Sequence, residues 1–124
     1  MADDSATRRF IRSAFGSIWS LELLLVLRQQ PDHAWTRAEL IAALRASEEV
    51  LARSSADLRE AGLIEIDDDQ RVCYRPVSSE LDETVAIVAS LYASRPAAVR
   101  RLIVGGGDDS VANFADAFRF RRDS

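Results

Sequence analysis

Apolar positions follow helical spacing over most of the chain and change to alternation only once. Between Arg8 and Gln30, Phe10, Ile11 and Phe15 make one stripe, and Ile18, Trp19, Leu21, Leu24, Leu25 and Leu27 a wider one. Gly16 lies between the two, so the spacing predicts a helix open to interruption there. The second stripe is apolar nearly all round, as in a central buried helix. Gln29-Gln30-Pro31-Asp32 ends it. Thr36 and Glu39 have the spacing of a capping box, and Trp35 and Leu40 that of a hydrophobic staple. They start a helix that runs through Leu40, Ile41 and Leu44 to about Arg45. Ser47 is a second N-cap, with Glu48 and Glu49 in the first turn, where negative charge suits the helix dipole. That helix carries Leu51 and Leu58 one heptad apart and stops at Gly62.

The period then shortens to two. Leu63-Ile64-Glu65-Ile66 predicts a strand, Asp67-Asp68-Asp69-Gln70 a turn, and Arg71-Val72-Cys73-Tyr74-Arg75 a returning strand closed by Pro76. Ser79 is expected to cap a further helix through Tyr92, apolar at Leu81, Val85, Val88, Leu91 and Tyr92. A short helix from Ser94 or Arg95, with Pro96 in its first turn, reaches Gly105-Gly106-Gly107, and Val111 to about Phe118 makes a last one. The expected fold class is mostly α with a two-stranded β-hairpin.

Composition narrows the class of protein. A chain of 124 residues is one domain's worth and leaves no room for a two-domain enzyme with a cleft between halves. With 48% apolar and 29% charged residues and a net charge of −4, it can fill one core and is not disordered. The expected organisation is a single domain over 1–124. Cys73 is the only cysteine, which excludes an intramolecular disulfide and suits a reducing compartment. Met1-Ala2-Asp3-Asp4 is acidic without an apolar run, and the longest such run, Leu23 to Leu27, is far short of the roughly 20 residues a membrane span needs. A cytoplasmic protein without a membrane partner is therefore expected.

Helix, short helix, turn, helix and hairpin, over roughly Ile18 to Arg75, resembles the winged helix-turn-helix domain of MarR-like and related bacterial transcriptional regulators. The most specific stretch is Leu51-Ala52-Arg53-Ser54-Ser55-Ala56-Asp57-Leu58-Arg59-Glu60-Ala61-Gly62-Leu63-Ile64, which looks like a recognition helix leading into a wing. The resemblance implies a winged domain over about 8–76 and C-terminal helices over about 79–120. It also implies double-stranded DNA as partner and a homodimer. The helix from Ser47 to Ala61 would enter the major groove, with Ser47, Glu49, Ala52 and Arg53 nearest the bases. Arg37, Arg45 and Arg71 would meet phosphates, as would the helix ends capped by Thr36 and Ser47.

Two features depart from that pattern. At about 100° per residue, Leu51, Ser54, Ser55, Leu58 and Gly62 point inward. Glu49, Arg53, Ala56, Asp57 and Glu60 then point outward, three acids against one arginine, and Arg53 has an acid one turn away on each side. The wing tip, Asp67-Asp68-Asp69, would be repelled by phosphate, although aspartate is also an ordinary turn former. The competing expectation is therefore a protein-interaction module that does not bind DNA and sets its acidic helix face and wing against a basic partner.

No constellation points to an enzyme. Gly105-Gly106-Gly107-Asp108-Asp109 has no G-K-[ST] sequence and reads as a connector. His33, in a surface loop, and Cys73, a buried inert thiol, are single residues where a metal site needs three or four ligands, so neither metal nor cofactor is expected. The acid pairs come with no pocket-forming pattern. The tail is different: Val111, Phe114, Ala115 and Phe118 share one helical face, with Phe120 beyond. Leu81, Val85, Val88, Tyr92, Phe114, Phe118 and Phe120 are the expected dimer interface.

Overall fold

The computed structural model describes residues 4–104. It is mostly helical with one two-stranded antiparallel sheet: α1 (Asp4–Ala14), α2 (Ile18–Gln29), α3 (Arg37–Leu44), α4 (Glu48–Glu60), β1 (Ile64–Ile66), β2 (Val72–Tyr74), α5 (Ser79–Ser94) and α6 (residues 96–104). α1 begins at Asp4, earlier than the apolar stripe suggested. The break at Gly16 is real, and α1 and α2 meet at 100°. α2 is the central helix, burying Ser20, Leu21, Leu23, Leu24 and Leu27 against α3, α4 and β2. Ser78, not Ser79, caps α5: its side chain accepts from the Leu81 amide at 3.1 Å.

Local chemistry explains where α3 and α4 start and stop. Thr36 Oγ1 accepts from the Glu39 amide at 3.1 Å, and Glu39 Oε1 accepts from the Thr36 amide at 2.9 Å, completing the capping box. His33 Nε2 lies 3.1 Å from the same carboxylate, and its ring stands edge-on to Trp35. The Thr36 amide, with help from His33, holds the Glu39 carboxyl below the usual glutamate value. α4 ends with paired bonds from the Gly62 amide to Arg59 O and the Leu63 amide to Leu58 O, both 3.0 Å, a Schellman arrangement. It requires Gly62 at φ +78°, where a side chain would be strained and would also press on Val77.

The hairpin pairs Ile64 with Tyr74, Glu65 with Cys73 and Ile66 with Val72. Trp35 adds a bridge to Val72, with N–H···O contacts of 2.8 and 2.9 Å, which ties the segment before α3 to the sheet. Val72 and Tyr74 turn to the core, as their alternation predicts. Cys73 faces the other way and is half-exposed, not buried, with Arg75 Nη2 4.0 Å from its sulfur. At the tip Asp67 Oδ1 accepts from the amides of Asp69 and Arg71 at 2.9 and 2.8 Å, so this aspartate builds the turn.

Tyr74 donates to Asp82 Oδ1, and Tyr92 to Glu22 Oε2, each at 2.6 Å. Burial pushes both phenols up, and the neighbouring carboxylate adds to it in each case. A phenol raised in the folded chain stabilises it fully below its unfolded value, about 10, and that contribution is lost as pH rises through the folded value. In a spectrophotometric titration, both tyrosines should ionise above the ordinary phenol range while the helical signal persists, and the folded chain should weaken as they do. Two ordinary phenol titrations with intact circular dichroism would contradict this.

Candidate nucleic-acid interface

α3 and α4 are joined by the turn Arg45-Ala46-Ser47. Arg45 takes a left-handed conformation there (φ 56°, ψ 40°), its amide donating to Ile41 O at 2.7 Å and its side chain exposed. Ser47 Oγ accepts from the Val50 amide at 3.1 Å. α4 then buries Leu51, Ser54, Ser55 and Leu58, as the helical projection expects. Asp57 is the exception. Its carboxylate turns inward, accepting from Ser20 Oγ at 2.7 Å and the Gly16 amide at 3.2 Å. It therefore does not belong to the outward acidic face and does not hold Arg53. The exposed residues of α4 are Glu48, Glu49, Ala52, Arg53, Ala56, Arg59 and Glu60.

A groove of about 550 Å³ runs between α4 and the hairpin, with the start of α3 at one side. Ala52, Ser55 and Ala56 line it with small side chains, Gln70 and Ile66 close it from the hairpin, and Arg37, Arg59 and one acid, Glu60, supply its charges. Among the described residues, neither arginine has a carboxylate within 4.0 Å. Both are therefore available to an anion entering the groove. Arg59 was not a candidate from sequence. The signal existed, since Ala52, Ala56 and Arg59 lie at i, i+4 and i+7 on one face of the helix.

The remaining candidates are occupied to different degrees. Arg53 Nη2 pairs with Glu49 at 3.0 Å in a fully exposed i, i+4 pair, so each reduces the other's reach toward a base. Arg71 Nη2 is held by Asp69 at 2.8 Å and its Nε lies 3.8 Å from Asp67. These aspartates raise the guanidinium pKa further and compete with any phosphate for it. The hydroxyls of Thr36 and Ser47 are engaged in their own helix caps. Ala52 is exposed in the groove, and Arg45 is exposed beside the start of α4.

The expected dimer residues fare differently. Val85 and Val88 have no exposed surface and pack within the chain's own core, because α5 lies across α1. They are corrected from interface to core. Leu81 and Tyr92 are half-buried against the same core, and the Tyr92 hydroxyl is bound to Glu22. Phe114, Phe118 and Phe120 lie outside the described residues, as do the triple glycine and the last expected helix.

Among the described residues no single helix is long and apolar enough to cross a membrane. No three His, Cys, Asp or Glu side chains among them are grouped to hold a metal ion. The chain matches no protein-family model, no curated protein and no solved structure.

Proposed function

We propose that this chain is a winged helix-turn-helix transcriptional regulator that binds double-stranded DNA as a homodimer in the cytoplasm. The observation that carries the reading is the groove between α4 and the hairpin, lined by small side chains and by Arg37 and Arg59. A helix presented to DNA needs a close-approaching face and cations that reach phosphates, since neutralising phosphates supplies most of the affinity. The bridge from Trp35 to Val72 supports the same reading, because it fixes the hairpin against the start of α3 as one unit. A net charge of −4 does not oppose it, as the local face decides.

The acidic side of the molecule favours a second reading, a winged module that binds a basic protein. Glu48, Glu49 and Glu60 are exposed on α4, and the wing's arginine is tied to its own aspartates. Retention of mixed genomic fragments at about 50 and 200 mM salt separates the two. The DNA reading expects a palindromic sequence to be enriched and its binding to fall with salt. No retention at the lower salt rejects it in favour of the basic partner.

A further inference from the structure

Residues of α1, α5 and α6 line a second groove, of about 310 Å³. Its bed is apolar, formed by Ile87, Leu91 and Leu102, and its rim carries Arg8, Arg95 and Arg101. Ile87 is 48% exposed, an unusual position for an isoleucine in a chain with so few large apolar side chains on its described surface. The three arginines are exposed, and among the described residues none has a carboxylate within 4.0 Å. A shallower depression continues the groove along α5, sharing Ile87 and Leu91 and flanked by Ala86, Ser90 and Ser94. The bed is thus elongated, follows a helix, and is bordered by side chains too small to hold another helix away.

We propose that this groove docks an acidic amphipathic helix of a partner protein, its apolar stripe on Ile87, Leu91 and Leu102 and its carboxylates against Arg8, Arg95 and Arg101. Charge complementarity selects that occupant. Three guanidiniums without a carboxylate partner among the described residues, beside an apolar bed, repel a basic helix and match one whose apolar stripe is flanked by Asp or Glu. Nucleic acid would use the arginines and leave the apolar bed facing ribose and phosphate. A flat anionic membrane would meet the rim, but not the floor of a concave bed between three helices. This groove and the α4 groove share no lining residue, so the proposal stands apart from DNA binding.

The test uses the full chain and two synthetic amphipathic peptides with the same leucine stripe, one flanked by glutamate and the other by lysine, read by fluorescence anisotropy. The acidic peptide should bind at least about ten-fold more tightly than the basic one, which is about 1.4 kcal/mol. Ile87→Asp should remove the binding. Arg95→Glu with Arg101→Glu should reverse the preference, with circular dichroism and DNA retention unchanged. Equal or absent binding of both peptides overturns the proposal, as does an unchanged preference in the charge-reversed chain. Binding to phosphatidylglycerol vesicles without binding to peptide overturns it in favour of a membrane surface. Loss of DNA retention in the charge-reversed chain overturns it in favour of nucleic acid at this face.

Discussion

Arg37→Ala combined with Arg59→Ala is expected to flatten the salt dependence of DNA retention by about 3.6 in log–log slope, on the order of 0.9 for each phosphate contact removed from the two protomers of the proposed dimer. The affinity near 0.1 M salt should fall by roughly 10- to 100-fold for each protomer's pair of contacts, because each lost contact forfeits the counterions it released. The thermal midpoint should hardly move. Both side chains are exposed, and surface changes away from packing usually stay within about 0.5 kcal/mol. Arg53→Ala is the informative comparison. Its guanidinium is already paired with Glu49 at 3.0 Å, so on the DNA reading its removal should weaken binding much less. An unchanged slope in the double variant, in a chain that does bind DNA, would remove the α4 groove from the interface.

Asp57→Ala is expected to lower unfolding free energy by about 2–3 kcal/mol in urea titration, a large part of the roughly 5–15 kcal/mol a domain has. The carboxylate joins α4 to the elbow between α1 and α2 through Ser20 Oγ and the Gly16 amide. Ser20 has no exposed surface, so without Asp57 its hydroxyl loses a charged hydrogen-bond partner. Asp57→Asn should retain more stability, since both bonds fall on one oxygen, Oδ2, and an amide oxygen placed there can still accept them. Gly16→Ala should also destabilise, because a Cβ there would come within 2.6 Å of Asp57 Oδ2. A change below about 0.5 kcal/mol in Asp57→Ala would show that the elbow does not depend on this carboxylate.

Much of this was legible because it depends on neighbours in sequence. The capping box at Thr36 and Glu39, the Ser47 cap, the stop at Gly62 and the turn at Asp67 all join groups no more than five residues apart. Residue type alone can therefore signal them. The central position of α2 was legible from its nearly unbroken apolar surface. The apolar spacing of α5 was also correct, but its meaning was not. Val85 and Val88 mark a buried face, and only the packing of α1 across α5 shows that the chain buries that face itself.

Asp57 makes the same point from the polar side. On a helical projection it belongs with Glu49 and Glu60, and nothing within one turn marks it as different. Its partners lie 37 and 41 residues away, so only the crossing of α4 over the elbow turns the carboxylate inward. The availability of Arg37 and Arg59 is likewise a property of the assembled groove, since α3, α4 and the hairpin each contribute a wall. The positions of α2 to α5, the Thr36 and Ser47 caps, the hairpin and the core were legible along the chain, because propensity, capping and hydrophobic period act over a few residues. Which polar groups are tied and which are available follows from packing, because burial and charge pairing depend on segments that meet only when the chain folds.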